Sequence, residues 1–305
     1  MPLFKTSLFM RQINTIEIPV GDMIFDAIAS GDPSNELAIF LHGFPQSSVC
    51  WESVMSELPA NYFCVAYNQR GYSRNARFTD KDMYKINCVV EDVLGVANYF
   101  AADKFHLVGH DWGGAVAWAT AIFHPEVLKS VVAVSTPHPL ALQNSLKNRS
   151  SDQRGKSSYI QLFRQKGVAE EMLSENEFAG LRSIFTVSGY DLNDQGLSEH
   201  LSRYIALLSE PGALTGALNW YRAINMNDTS VFPNSEALII DTPVLYVWSD
   251  NDIALGKEAA FDTGNYLSGY YKFEVLKGIS HWIPEMASRK LSELILSHWN
   301  TVGSI

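Results

Sequence analysis

Cationic side chains are scarce in this chain: 23 Lys and Arg stand against 33 Asp and Glu, for a formal net charge of −10. Binding to nucleic acid relies on Lys and Arg to neutralise phosphates, so nucleic acid is disfavoured as a partner. Cysteine is scarcer still. Cys50, Cys64 and Cys88 are odd in number and include no CxxC pair, which argues against a disulfide framework or a cysteine metal or redox site. They fall in segments read below as loop, strand and helix, and reduced structural thiols are expected. Long hydrophobic runs are also missing. Nowhere do about 18 apolar residues follow one another, and Lys5 and Arg11 break the N-terminal stretch where a signal peptide carries its apolar core. The expectation is a cytoplasmic protein without stable membrane insertion.

What is abundant is apolar side chain: 47% of the 305 residues are hydrophobic, and aromatics make up 12% of the chain. That supports a large core and a single main domain carrying an insertion. Thr15–Val20 and Met23–Ile28 flank Gly21-Asp22 and read as an opening hairpin. Short continuous apolar runs follow at Leu37–Leu41, Tyr62–Tyr67, Phe105–Val108, Val131–Val134, Val244–Val247 and Phe273–Leu276. Runs apolar on both faces predict strands of a buried parallel sheet. Between them, Ile86, Val89, Val90, Val93, Leu94, Ala97 and Phe100 keep helical spacing, as do Leu291, Leu294, Ile295 and Trp299. From about Thr136 to Asp228 the alternation stops and only helical patterns remain. Such an insertion after a strand sits above the site of an open α/β sheet.

The sharpest local signal is Gly109-His110-Asp111-Trp112-Gly113-Gly114, between the strand Phe105–Val108 and a helix rich in alanine. Small residues around a central side chain suit the tight strand-turn-helix of a nucleophile elbow. Asp stands where Ser is usual. A carboxylate can displace a leaving group at a tetrahedral carbon and leave an ester on the enzyme. The plainer reading is that Asp111 caps the helix that follows it. His42-Gly43-Phe44-Pro45 follows the strand Leu37–Leu41; a backbone N–H from this loop and one from the residue after the nucleophile make an oxyanion hole in this architecture, which assigns Phe44 and Trp112. After Val244–Val247 come Asp250 and Asp252, either able to orient a histidine. Asp252 lies deeper in the loop, and Asp250 is read as a turn cap. His281, just past the last strand, completes the order nucleophile, acid, base. His42 and His110 are read as loop braces, with His42, Pro45, His138 and Trp282 as candidate substrate contacts.

Together these residues resemble the epoxide hydrolases of the α/β-hydrolase fold over nearly the whole chain. Asn68-Gln69-Arg70-Gly71-Tyr72-Ser73 is similar to a structural loop of that family, with Asn68 where Asp is usual and Ser73 where Gly is usual. The stretch His281-Trp282-Ile283-Pro284-Glu285 is similar to the family's segment around the base. Ser158–Phe163 and Asn219–Arg222 look like the two cap segments that each carry a ring-opening tyrosine, here Tyr159 and Tyr221. The resemblance implies a mostly parallel eight-stranded sheet flanked by helices, with residues 1–135 and 229–305 as core and 136–228 as a helical cap. It favours Asp252 as the acid. It also implies an epoxide as substrate, no metal or organic cofactor, and a monomer or homodimer.

Two other readings compete. A haloalkane or haloacetate dehalogenase uses the same fold and an Asp nucleophile, and Trp112 could hold a departing halide. Phe44 stands where haloalkane dehalogenases usually place a polar or indole donor, and two cap tyrosines suit an oxygen leaving group better. A non-catalytic binding or signalling member of the fold usually loses part of its triad; here the set is complete.

Overall fold

The computed structural model describes residues 11–223 and 238–304. The expectation drawn from Lys5 and the Asp228 end of the insertion lie outside them. In chain order the strands are β1 (Asn14–Val20), β2 (Met23–Ser30), β3 (Glu36–Leu41), β4 (Tyr62–Tyr67), β5 (Phe105–His110), β6 (Leu128–Val134), β7 (Val244–Asn251) and β8 (Tyr271–Ser280). They form one eight-stranded sheet in the order β1-β2-β4-β3-β5-β6-β7-β8. β1–β2 and β2–β4 are antiparallel and every other pairing is parallel. All eight expected strands are present. β8 runs well beyond Phe273–Leu276 at both ends, because an edge strand is only half covered and lacks the two-sided apolar signal.

The helices are α1 (Glu52–Glu57), α2 (Ile86–Tyr99), α3 (Trp112–Phe123), α4 (Pro139–Lys147), α5 (Gln153–Lys156), α6 (Tyr159–Phe163), α7 (Val168–Thr186), α8 (Gln195–Leu208), α9 (Ala213–Ala223), α10 (Lys257–Asp262), α11 (Ile283–Met286) and α12 (Ser288–Val302). One apolar layer joins Phe40 of β3 to Trp51 and to Trp299 of α12. The opposite layer joins Leu107 of β5 to Val89 and Val93 of α2 and Val116 and Trp118 of α3. Burying each aliphatic side chain of this kind contributes roughly 1.5–3 kcal/mol, so the two layers fix the positions of the strand ends between them. Cys50 sits in a single 3-10 turn, Ser48–Trp51, rather than a loop, while Cys64 and Cys88 fall on β4 and α2 as expected; all three are free.

Helices α4 to α9 lie between β6 and β7, and the described part of this stretch contains no strand. α7 is interrupted at Glu175–Phe178, where Asn176, Glu177 and Phe178 have φ of 50°, 57° and 62°. Left-handed backbone costs roughly 1–2 kcal/mol per non-glycine residue. The interruption redirects the last turns of α7, which carry Ser183 and Ile184 to the cavity described below. No described helix is long and apolar enough to cross a membrane.

Candidate active site

Four strand ends converge on one point. Phe44 follows β3, Asp111 follows β5, Asp252 follows β7 and His281 follows β8. Asp111 occupies the turn itself, with φ 52° and ψ −118°, and its side chain makes no cap to α3. A non-glycine residue held there costs about 1–3 kcal/mol, so the helix-cap reading fails and the carboxylate is left free to project. The backbone around it is pinned: Asp111 N–H donates to the Val134 carbonyl at 3.3 Å, and Thr136 Oγ1 donates to the Asp111 carbonyl at 2.6 Å. Close approach demands glycine nearby. A Cβ on Gly43 would run into the Asp111 carboxyl, and one on Gly113 into the Leu41 carbonyl.

Phe44 N–H donates to Asp111 Oδ1 at 2.9 Å. Trp112 is the first residue of α3, directly after the turn. His281 Nδ1 donates to Asp252 Oδ2 at 2.8 Å, and Nε2 faces Asp111 Oδ2 at 3.6 Å. The other oxygen of Asp252 accepts from Ala254 N–H at 2.8 Å and Leu255 N–H at 2.9 Å, so this carboxylate is held on both sides. Its loop is tied to the inserted helices: Lys156 donates to the Asp252 carbonyl, and Gln153 Nε2 to the Ala254 carbonyl at 2.8 Å.

Burial opposes charge on all three groups, yet their mutual attraction prevails. It works against the imidazolium of His281, but Asp252 and Asp111 together hold that group up at about 10. Burial likewise opposes the Asp111 carboxylate; the adjacent positive His281, with lesser help from Phe44 N–H, lowers its pKa below the ordinary value. Asp252 behaves in the same way, burial being overcome by His281 and the two loop N–H groups. The resting site is an imidazolium between two carboxylates.

A cavity of about 210 Å³ reaches this group, walled by Asp111, His281, Phe44, Tyr159, Tyr221 and Trp282 among others. The tyrosines come from α6 and α9 with ring centroids 6.0 Å apart. Burial, reinforced by the negative charge of Asp111, raises both phenols above their ordinary pKa, so both keep their protons and remain donors. Trp112 is not a wall, but its ring meets Tyr221 edge-on at 5.1 Å.

Three expected substrate contacts lie elsewhere. His42 is fully buried; its Nδ1–H meets the Gly43 carbonyl at 2.9 Å and its Nε2 accepts from Gln69 N–H at 3.0 Å, which makes it a strut between two loops. Pro45 is buried in the same loop and does not line the cavity, although its neighbour Phe44 does. His138 stacks on Tyr266 at 4.8 Å and packs edge-on against Trp118, and its Nδ1 accepts from Leu140 N–H, capping α4. Asp250, read as a turn cap, instead accepts from Gly278 N–H of β8 at 2.7 Å. The sequence reading missed Phe163, Ser183, Ile184, Val187, Ile253 and Ala254 as walls. It also missed Gln46, whose one signal was its place directly after the His42–Pro45 loop.

Residues 38–284 match a family model described as the alpha/beta hydrolase fold. The chain is 31% identical over 283 residues to Epoxide hydrolase 4 of Homo sapiens, covering 92% of this chain and 76% of that protein. It is 33% identical over 272 residues to the AB hydrolase superfamily protein YfhM of Bacillus subtilis (strain 168), covering 88% and 92%. Among solved structures, a Bacillus megaterium epoxide hydrolase in complex with an inhibitor superposes with a TM-score of 0.83 at 24% identity, over 93% of this chain and 100% of that one, a likeness of fold. An eight-stranded sheet with an Asp at its elbow and this degree of kinship have one family in common, and the chain belongs to it: the epoxide hydrolase family of the α/β-hydrolase fold.

Proposed function

We propose that this protein adds water to an epoxide to give a vicinal diol through a covalent ester on Asp111. The observation that carries the reading is that Asp111, His281, Tyr159 and Tyr221 share one cavity. Residues 1–135 and 229–305 act as the core and 136–228 as a lid that delivers the two phenols.

In the first half-reaction Asp111 Oδ2 attacks an epoxide carbon and the carbon–oxygen bond opposite it breaks. Tyr159 and Tyr221 hydrogen-bond the ring oxygen, and one of them supplies the proton that the developing alkoxide takes. Oδ1 is the oxygen already engaged by Phe44 N–H, so it becomes the ester carbonyl.

Esterification removes the charge of Asp111, one of the two anions that keep His281 protonated. The imidazole pKa then falls, its Nε2 proton passes to the tyrosinate left by ring opening and restores the phenol, and the neutral His281 is able to act as a base at the stage that needs one. With Asp252 holding its Nδ1–H, Nε2 takes a proton from water, which attacks the ester carbonyl. The oxyanion forms on Oδ1, stabilised by Phe44 N–H and Trp112 N–H. Collapse releases the diol, which carries the former Oδ2, and restores the carboxylate with an oxygen from water.

Replacing His281 with Gln tests this reading. The variant should form the ester and stall, so that the Asp111 peptide gains the mass of the epoxide. An unmodified peptide in the presence of an epoxide that the wild type consumes would refute it.

A further inference from the structure

Behind His281 lies a buried polar chain that the reaction above does not use. The His281 main-chain carbonyl faces His110 Nε2 at 2.9 Å, and His110 Nδ1 faces Gln46 Oε1 at 2.8 Å. Gln46 Nε2 faces Glu285 Oε1 at 2.7 Å, and Tyr204 OH donates to that oxygen at 2.9 Å. Glu285 Oε2 is buried with no partner among the described residues.

Counting protons along this chain decides its charge. With the amide of Gln46 oriented as above, His110 faces a carbonyl oxygen at each nitrogen. It must then donate from both, which only an imidazolium can do. Yet His110 is fully buried and its ring lies 4.7 Å from that of His281, already cationic in the resting site. The oxygen and nitrogen of an amide occupy equivalent outlines, so the partners decide its orientation. With the amide turned over, its NH2 donates to His110 Nδ1, and a neutral His110 donates from Nε2 to the His281 carbonyl. Gln46 Oε1 then faces Glu285 Oε1, and a proton has to lie between them.

We propose that Glu285 is a positioning residue that works as a buried carboxylic acid: through Gln46 it fixes His110 in the Nε2–H tautomer, which anchors the main chain of His281. The arrangement holds the same number of protons as the alternative, with one moved from His110 to Glu285. A neutral acid also leaves its partnerless oxygen buried at far lower cost than a carboxylate would. Burial acts on both ends in the required sense, raising Glu285 to about 7 and lowering His110 to about 3. The titratable groups facing Glu285 are Tyr204, Tyr190, Cys50 and His281.

The kinetic consequence rests on His281 being the base. As pH rises through about 7, Glu285 ionises and draws the NH2 of Gln46 back toward itself. His110 must then donate from Nδ1, and its Nε2 lone pair opposes the His281 carbonyl. Hydrolysis of the ester should slow by about tenfold, the scale of one lost hydrogen bond, while ester formation is unaffected.

Nitrogen-15 NMR of histidine-labelled full-length protein tests the proposal without a variant or a substrate. His110 should show the neutral Nε2–H tautomer below neutral pH and change state as Glu285 titrates; a doubly protonated or Nδ1–H His110 below neutral pH would overturn it. Glu285→Gln keeps a donor toward Gln46 without a titration. It should hold the Nε2–H tautomer and give ester hydrolysis without the decline near neutral pH, whereas Glu285→Leu should be slow throughout. A Gln variant that titrates as the wild type does would also overturn the proposal. Should epoxides not be turned over at all, the functional reading fails, and the tautomer measurement still decides the role of Glu285.

Discussion

His281 Nε2 stands 3.6 Å from Asp111 Oδ2, beyond hydrogen-bond length but well within the reach of its charge. The separation leaves Oδ2 free of a close donor that would blunt the attack proposed for it. It also keeps the imidazolium near enough to hold the carboxylate ionised. In the proposed mechanism one distance thus serves both the attack by Asp111 and the timing of His281 as base.

Asp111→Asn removes an anion from beside His281. Since Asp111 and Asp252 jointly raise the imidazole to about 10, the variant should titrate His281 at lower pH, still above the ordinary value because Asp252 remains. The imidazolium would then be lost earlier as pH rises. NMR titration of the ring measures this, and an unchanged titration would mean that Asp111 does not control the proton. Turnover should fall by about 10⁴-fold or more, the scale of losing a nucleophile.

Tyr159→Phe and Tyr221→Phe each remove one donor from the site where the ring oxygen is read to lie. Each should slow ester formation by about 10²-fold or more, the range for one donor to developing negative charge. Ester hydrolysis should change little. Stopped-flow fluorescence of the cavity tryptophan Trp282 can separate the two phases, and an unaltered first phase would remove that tyrosine from the role.

The sheet was legible because its inner strands are apolar on both faces, and the elbow because only small residues fit around Asp111. Features set by distant partners were not legible. His138 stands at the mouth of the insertion, yet a stacking partner 128 residues away makes it core, since 266 − 138 = 128. Glu285 was visible in a motif, but its partners lie 239 and 81 residues distant, at Gln46 and Tyr204. The interruption of α7 carries no glycine to announce it; Asn176 is the one residue there with a known tolerance for left-handed backbone.

Arg70 and Asp92 form a buried two-pronged ion pair, with contacts of 2.8 and 2.6 Å, and the Arg70 carbonyl accepts from Trp220 Nε1 of α9 at 2.8 Å. Arg70→Met would leave the Asp92 carboxylate buried without its counter-charge. A loss of about 3–5 kcal/mol is expected from denaturant unfolding, and a loss under about 1 kcal/mol, the level of an exposed pair, would contradict this account of the loop.

A single turnover with enzyme in excess, run in oxygen-18 water, tests the covalent ester most directly. Water is held to attack the Asp111 carbonyl, so the heavy oxygen should appear in the Asp111 carboxylate and the first diol should be unlabelled. Label in that first diol, with Asp111 unlabelled, would mean that water opens the ring itself and that no ester forms.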